Sequence, residues 1–207
     1  MERYVADFLF LCVAAFFSTN AYNILVTGRQ KSQSAAYAEV DRPANILVAL
    51  AALATFVYFI ESGVFLIFFY SSGEAVLSRL PGSLSMPEPF LLQVIGAIPT
   101  GVGFALFIWS VSTRGRYSAS WAMRSDHRLV TIGPYRYVRH PWYLGYVLMF
   151  LGLPLLWQNL VALAPLTGVP GYCVITFAEE ELLLKRFGQE YGDYQKRTGR
   201  FLPRLSR

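Results

Sequence analysis

Charged residues are scarce in this sequence. Asp, Glu, Lys and Arg make up 15% of its 207 residues, whereas hydrophobic residues make up 55%. Soluble domains ordinarily carry about 25% charged residues. The composition therefore excludes one ordinary soluble domain and favours a membrane protein.

Cysteine and histidine are also rare, with two residues of each. Cys12 and Cys173 both fall in apolar segments, and their spacing matches neither a disulfide framework nor a zinc site. We therefore expect no metal. The sequence has no internal repeat, low-complexity tract or Gly/Ser linker, which predicts a single domain over residues 1–207.

Long apolar runs dominate the sequence, and most of them supply the about 20 helical residues that cross a bilayer. The polar pair Gln158-Asn159 divides the last run and predicts a hairpin tip. The arm before this pair covers only about 24 Å as a helix, which predicts a tilted, broken or partial span. We expect an all-α membrane bundle with five segments, at about residues 4–26, 45–70, 90–111, 142–157 and 160–177.

Lys and Arg are concentrated in three regions. Three lie within residues 27–44, six within 114–141 and seven within 179–207, out of 18 in the chain. With five segments these regions share one side of the membrane, and the positive-inside rule predicts that this side is cytoplasmic. The net charge of +5 is then explained by topology and by attraction to anionic membrane lipids, and we expect no nucleic-acid partner.

A cationic cluster directly precedes the fourth apolar segment. It contains Arg136, Arg139 and His140, and the apolar run begins at Trp142. Charge beside hydrocarbon is costly unless it binds a partner, so this cluster indicates a functional site. Arg136 is interpreted as a side chain that reaches the membrane surface, whereas Arg139 fits either such an anchor or a ligand-binding residue.

Three consecutive acids, Glu179, Glu180 and Glu181, follow the last apolar segment. Acidic residues are favourable at the start of a helix, and apolar residues recur at helical spacing after these three. This pattern predicts an amphipathic cytoplasmic helix that begins at Glu179 and ends near Gly199 and Pro203. Neighbouring helix positions point about 100° apart, so the three carboxylates cannot all face one pocket. Glu179 is the first choice for a ligand-binding acid and Glu180 the second.

Four sequence elements occur in a fixed order in the second half of the chain. They are His127-Arg128-Leu129-Val130, Gly133-Pro134-Tyr135, Arg139-His140-Pro141-Trp142-Tyr143, and the three acids followed by Phe187-Gly188, Tyr191 and Tyr194. Over about residues 120 to 204 this order resembles the isoprenylcysteine carboxyl methyltransferase family and the related phospholipid methyltransferases. The resemblance implies a cytoplasmic S-adenosylmethionine site built from residues 120–143 and 179–204.

The resemblance also implies roles for particular residues. The implied cofactor-binding residues are His127, Leu129, Val130, Tyr135, His140, Pro141, Tyr143, Glu179 and Glu180, and the implied catalytic residues are Arg139, His140 and Tyr143. These residue types suit a sulfonium, ribose hydroxyls and a carboxylate. Each tyrosine taken singly also fits the aromatic belt at a membrane surface.

The implied acceptor is a lipid-like or prenylated molecule, with the carboxylate of an isoprenylcysteine-like substrate as the main candidate. A carboxylate is already ionised at neutral pH, so its methylation needs no general base. Some members of the family place an Arg four residues before the cofactor-binding Glu, and here that position is Ile175. Arg114, Arg116 or Arg139 are possible substitutes, and a phospholipid amine or a small thiol remains open as acceptor.

Two other function classes remain. Membrane sterol and steroid reductases share the Arg-His-Pro-x-Tyr element and use NADPH, but they typically have Asn before the Tyr, where this chain has Trp142. A non-catalytic, lipid-binding scaffold would use its Arg residues only to hold anionic headgroups. Separately, Glu61 lies inside the second apolar segment, where we expect it to be buried against a polar neighbour.

Overall fold

The computed structural model describes residues 3–31, 37–39, 45–72, 77, 79–115, 122–124 and 128–204. Within this part the chain forms six α-helices: α1 Arg3–Lys31, α2 Ile46–Ser72, α3 Pro89–Arg114, α4 Pro141–Trp157, α5 Val169–Phe187 and α6 Gln189–Arg197. Two 3₁₀ helices, Gly133–Arg136 and Leu160–Gly168, precede α4 and α5. Strands β1 Tyr37–Glu39 and β2 Ala122–Arg124 pair in antiparallel fashion. The predicted all-α class is confirmed, and the two short strands were not predicted.

The helices confirm that this is an integral membrane protein with one short segment. Four stretches of the described chain are long and apolar enough to cross a bilayer: Arg3–Val26, Ile46–Ser72, Pro89–Arg114 and Leu160–Phe187. Helix α4 has 17 residues and is shorter than a full span. The predicted partial span thus corresponds to α4, which packs closely against α3.

The helix that was predicted to begin at Glu179 does not begin there. Helix α5 runs without interruption from Val169 to Phe187 and ends at Gly188, whose φ of 53° is in the left-handed region that favours glycine. The acids do not end the helix because Glu179 and Glu180 are buried against polar partners from other parts of the chain. The amphipathic helix begins after this break, as α6.

The hairpin tip lies where the sequence predicted it. Gln158 has a φ of 55°, and the Asn159 side chain accepts a hydrogen bond of 2.9 Å from the Val161 amide. The tip also pairs with the loop between α2 and α3, since the Leu84 amide donates to the Gln158 carbonyl at 2.8 Å. This pairing fixes one end of the bundle, and the residues of the predicted site lie at the other end.

Close packing of α3 against α4 brings the two ends of the site together. A Cβ on Gly103 would lie 2.6 Å from the Gly145 carbonyl oxygen, and a Cβ on Gly145 would lie 2.7 Å from the Gly103 carbonyl oxygen. Small residues at such contacts let helix backbones approach closely within a membrane. The end of α3 at Arg114 is consequently held beside the start of α4 at Pro141.

Glu61 is buried in α2 with 5% of its surface exposed, which confirms the predicted burial, whereas the predicted polar partner is not found among the described residues. Neither of its carboxyl oxygens has a hydrogen-bond partner among the described residues. The neighbouring hydroxyl of Tyr58, one helical turn earlier, is likewise buried without such a partner. A buried polar group without a hydrogen bond lowers the stability of the folded state.

The variant Glu61→Leu should therefore unfold at a higher temperature than the wild type. An apolar side chain of similar size removes the cost of the buried carboxyl, so the free energy of unfolding should rise by about 1–3 kcal/mol. Thermal unfolding of detergent-purified protein measures this. Ile60→Leu, at an exposed position of the same helix, should change little. A lower unfolding temperature for Glu61→Leu would show that the carboxyl has a stabilising partner.

Candidate active site

The candidate site begins with a short loop that leads into α4. Gly133 has a φ of 59° and opens the 3₁₀ helix, and Pro141 occupies the first turn of α4. Proline suits this position because its ring fixes φ and because the first helical amides have no partner within the helix. The helix therefore starts directly after His140, and the two polar side chains of Arg139 and His140 lie at its entrance.

Residues 198–200, here called the C-terminal strap, pair with this loop through the backbone. The amide of Arg139 donates to the Gly199 carbonyl at 2.8 Å, and the amide of His140 donates to the Arg200 carbonyl at 3.1 Å. Val138 and Gly199 form a parallel bridge. The strap thus fixes the backbone of the loop at the two residues that begin the site.

Glu180 is the centre of a buried ion cluster behind the loop. Its carboxylate accepts hydrogen bonds from Arg139 Nε at 2.8 Å, from Arg200 Nη2 at 2.7 Å and from Gln195 Nε2 at 3.2 Å. His140 Nε2 lies 3.1 Å from the same carboxylate. Two cations and two further polar groups surround one acid, so this cluster joins α5, α6, the loop and the C-terminal strap.

Arg139 is engaged with the protein on two sides. Besides Glu180, its guanidinium donates to the backbone carbonyls of Gln195 and Thr198, at the end of α6 and the start of the C-terminal strap. These carbonyls belong to the last turn of α6 and the residue after it, where helices leave acceptors unsatisfied. Arg139 therefore holds the C-terminal strap in place, and part of its surface also lines the cavity described next.

Glu179 faces a different direction from Glu180. Its carboxylate accepts a hydrogen bond of 2.7 Å from Tyr143 Oη and lies 3.5 Å from His140 Nδ1. It lines a cavity at the ends of α3 and α5 and the start of α4. Because His140 contacts Glu179 with one ring nitrogen and Glu180 with the other, the imidazole connects the cavity to the ion cluster.

The cavity is lined by basic, aromatic and aliphatic side chains around one acid. Glu179 is the one acid among the cavity residues that the structure describes. The lining residues are Arg114, Arg128, Leu129, Val130, Tyr135, Arg139, His140, Trp142, Glu179, Leu183, Tyr191 and Tyr194. A site of this composition suits a ligand that combines an anionic group, a cationic group and a flat ring.

Tyrosine hydroxyls close the side of the cavity next to α6. Tyr194 Oη donates to the Tyr135 carbonyl at 2.6 Å. Tyr191 is 1% exposed, and its hydroxyl has no hydrogen-bond partner within the described part of the chain. Burial raises the pKa of Tyr191 and of Tyr194 above the ordinary tyrosine value. Both phenols are therefore protonated at neutral pH and can donate hydrogen bonds.

The structure brings most of the predicted residues to this cavity. The predicted residues that line it are Leu129, Val130, Tyr135, Arg139, His140 and Glu179. Tyr143 and Glu180 lie one layer behind, in contact with Glu179 and His140 respectively, and Pro141 begins α4. His127 lies outside the described residues. The catalytic and cofactor-binding roles stay predictions.

Several cavity residues were missed. Tyr191 and Tyr194 belong to the fourth of the ordered elements and Trp142 to the third, so membership of these elements was a signal for all three. Arg114 was considered only as a substitute for a missing cation, although a basic residue at the end of an apolar run is a recognisable feature. Arg200 supports the site from outside the cavity through Glu180, which lies 20 residues away, and the sequence contains no signal for this contact.

A cavity lined by basic, aromatic and aliphatic side chains at one end of a bundle of apolar helices is typical of an integral membrane protein with a ligand site. Residues 91–190, from α3 into α6, match the family model described as phospholipid methyltransferase. Over this segment the chain is similar to membrane methyltransferases, among them phospholipid and isoprenylcysteine methyltransferases, which confirms the resemblance of the ordered sequence elements.

Individual relatives are similar to part of the chain. Protein-S-isoprenylcysteine O-methyltransferase of Tribolium castaneum is 37% identical over 87 residues, which is 38% of this chain and 29% of the relative. Methanethiol S-methyltransferase of Pseudomonas deceptionensis is 37% identical over 73 residues, which is 35% of this chain and 28% of the relative. The chain thus spans less than a third of either relative.

A solved structure also resembles this chain. It is a eukaryotic intramembrane Ras methyltransferase, isoprenylcysteine carboxyl methyltransferase, with a TM-score of 0.49 and 25% sequence identity. The likeness covers 79% of this chain and 54% of that protein.

Proposed function

We propose that this protein transfers a methyl group from S-adenosylmethionine to a membrane-embedded acceptor, the carboxylate of an isoprenylcysteine-like substrate. The observation that carries the proposal is the cavity around Glu179, which lies within the segment that matches the methyltransferase family. Several aligned relatives are named protein-S-isoprenylcysteine O-methyltransferase. We infer that residues 1–207 act as one domain, because α1 and α2 pack on the helices that carry the site.

The side chains around the cavity fit an adenosyl amino acid. Glu179 suits ribose hydroxyls or an ammonium group, and a carboxylate also favours a positively charged sulfur nearby. The buried Tyr191 hydroxyl is a donor that the described residues leave without a partner. Bound in this way, S-adenosylmethionine would supply an activated methyl group.

The residues of this chain contribute binding, alignment and exclusion of water. An ionised carboxylate acceptor needs no proton removed, and no side chain in the cavity has to act as a general base for it. Tyr143 and His140 hold the Glu179 carboxylate from two sides, which fixes its position before any ligand binds. A preorganised carboxylate of this kind lowers the entropic cost of orienting the reactants.

We infer that the site and the C-terminus face the cytoplasm. The parts of the three Lys- and Arg-rich regions that the structure describes lie at the end of the bundle that carries the cavity, and the positive-inside rule assigns that end to the cytoplasm. The pairing of β1 with β2 supports a common side for two of these regions, because it joins the α1–α2 loop to the α3–α4 loop. An acceptor with a long apolar tail would then approach laterally through the bilayer.

A methyl-transfer assay with a panel of acceptors tests this function. Detergent-purified protein with radiolabelled S-adenosylmethionine should methylate N-acetyl-S-farnesylcysteine, and should leave the methyl ester of that compound unlabelled because its carboxylate is blocked. Phosphatidylethanolamine and methanethiol serve as the amine and thiol alternatives. Labelling of either one without the farnesylcysteine would contradict the proposed acceptor while keeping the reaction, and no labelling of any acceptor would contradict the reaction itself.

A further inference from the structure

A second cavity lies at the same end of the bundle, beside the candidate active site. Its walls come from the loop before α4, from the end of α6 and from the first residue of the C-terminal strap. The lining residues are Thr131, Arg136, Tyr194, Arg197 and Thr198. Two arginines thus line one space, and the described lining contains no acid. Guanidinium groups bind phosphate oxygens through paired N–H donors, so a cavity of this composition suits a phosphate group.

The two arginines of this second cavity keep donors available for a ligand. Arg136 and Arg197 are exposed, and neither forms an ion pair within the part of the chain that the structure describes. Arg197 Nε donates to the Asp193 backbone carbonyl at 3.2 Å, which leaves the terminal nitrogens of the guanidinium. The Asp193 carboxylate interacts with Arg197 through space, but it accepts its hydrogen bonds from Lys196 and Gln189. Both arginines can therefore bind a further anion.

Exposed apolar side chains flank the second cavity. Ile132, which follows Thr131, is 68% exposed. Tyr137, which follows Arg136, is 54% exposed. Neither belongs to a described stretch that is long and apolar enough to cross a bilayer. The apolar helix α4 begins a few residues later, so this loop lies at the edge of the hydrocarbon. Large apolar side chains exposed beside a basic site indicate contact with a membrane surface, where tyrosine is enriched.

We propose that the second cavity binds the phosphate of an anionic phospholipid, with Arg136 and Arg197 as the binding residues and with Ile132 and Tyr137 in the adjoining membrane surface. The occupant is a lipid because the basic cavity and the exposed apolar side chains occur together, whereas a free phosphate would use the arginines alone. The proposal goes beyond methyl transfer and is independent of the identity of the methyl acceptor.

The second cavity also shares a wall with the candidate active site. Tyr194 lines both cavities, and its hydroxyl donates to the Tyr135 carbonyl at 2.6 Å. A phosphate held by Arg136 and Arg197 joins the loop before α4 to the end of α6, which are the same two elements that Tyr194 connects. Because a ligand that binds only the folded protein stabilises it, an anionic phospholipid should raise the unfolding temperature.

Binding of single lipid molecules to the detergent-purified protein tests the proposal. Native mass spectrometry compares dioleoylphosphatidylglycerol, which is anionic, with dioleoylphosphatidylcholine, which has the same acyl chains and a zwitterionic headgroup. Inorganic phosphate is added as a competitor. The test variant is Arg136→Gln/Arg197→Gln. The matched control is Lys185→Gln/Lys196→Gln, which removes two positive charges from exposed side chains of α5 and α6 that do not line the second cavity.

The wild type should bind phosphatidylglycerol about 10-fold more tightly than phosphatidylcholine. Loss of the charge-assisted contacts should weaken phosphatidylglycerol about 10- to 100-fold in the test variant. The control should stay within about threefold of the wild type, because exposed charges outside the site contribute little. Phosphatidylglycerol should also raise the unfolding temperature of the wild type and of the control, but not that of the test variant.

Three results would overturn the proposal. Equal weakening in the test variant and the control would show that the lipid responds to net charge alone. Equal affinity of the wild type for the two lipids would show that the headgroup charge is not recognised. Displacement of phosphatidylglycerol by inorganic phosphate would assign the cavity to a free anion. If the test variant does not fold, wild-type affinity in Arg197→Gln would count against the proposal in the same way. None of these measurements uses methyl transfer, so this proposal and the proposed function fail separately.

Discussion

His140→Ala should reduce the affinity for S-adenosylhomocysteine at least about 100-fold and abolish methyl transfer, while the protein still inserts into the membrane. The imidazole is 3% exposed and lies 3.5 Å from one Glu179 oxygen and 3.1 Å from one Glu180 oxygen. Its removal leaves two buried carboxylates without a shared partner, and loss of such a partner costs about 3–5 kcal/mol. Because His140 lines the cavity, its removal should also change the shape of the cavity and so weaken ligand binding.

The control is His140→Gln, whose side-chain amide can still donate to one of the two carboxylates and should bind better than His140→Ala. Calorimetry with S-adenosylhomocysteine gives the affinity, and the yield from the membrane fraction together with the thermal unfolding temperature shows whether the variant is folded. Wild-type affinity in a folded His140→Ala variant would contradict the proposed site.

Glu179→Gln should weaken ligand binding and Glu180→Gln should lower stability, although the two residues are adjacent. Glu179 faces the cavity, so its replacement should weaken S-adenosylhomocysteine about 10- to 100-fold. The fold should be largely retained, because an amide oxygen can still accept the hydrogen bond from Tyr143. Glu180→Gln leaves Arg139 and Arg200 with one neutral partner, and loss of a buried ion-pair partner should lower the free energy of unfolding by about 3–5 kcal/mol.

This matched pair needs two measurements on each variant, the affinity by calorimetry and the unfolding temperature in detergent. The structure predicts that Glu179→Gln changes the affinity and that Glu180→Gln changes the unfolding temperature. If Glu180→Gln is the weaker binder while both variants unfold at the wild-type temperature, the assignment of the two carboxylates is wrong by one helical position.

The sequence predicted the membrane segments well because hydropathy and segment length are local properties. The short α4, the hairpin tip at Gln158 and Asn159, and the location of the ordered elements at one end of the bundle all agree with the structure. These features depend on runs of neighbouring residues and on the fixed thickness of a bilayer. No knowledge of distant contacts was needed for them.

The end of α5 could not be predicted in this way. The acids at Glu179 and Glu180 made the apolar segment seem to stop before them, although the helix continues to Phe187. What allows them to be buried is a set of partners that come from the loop before α4 and from the C-terminal strap, 20 to 41 residues away in sequence. A local pattern contains no information about such partners.

The same limitation applies to the residues that support the site. Arg200 binds Glu180, lies over the Phe177 ring at 3.6 Å and has a backbone carbonyl that accepts from the His140 amide. None of these contacts follows from the spacing of residues along the chain. The ordered elements identified which residue types belong to the site, whereas the structure was needed to separate the cavity residues from those that hold them.

Calorimetric titration of the detergent-purified wild type with S-adenosylhomocysteine, and separately with NADPH, tests the proposed reaction class most directly. Saturable binding of S-adenosylhomocysteine without binding of NADPH is the predicted result. Binding of NADPH alone would contradict it and would assign the cavity to the reductases that share the Arg-His-Pro-x-Tyr element. Binding of neither compound would contradict it as well, and would leave the basic cavity as a site for anionic lipid.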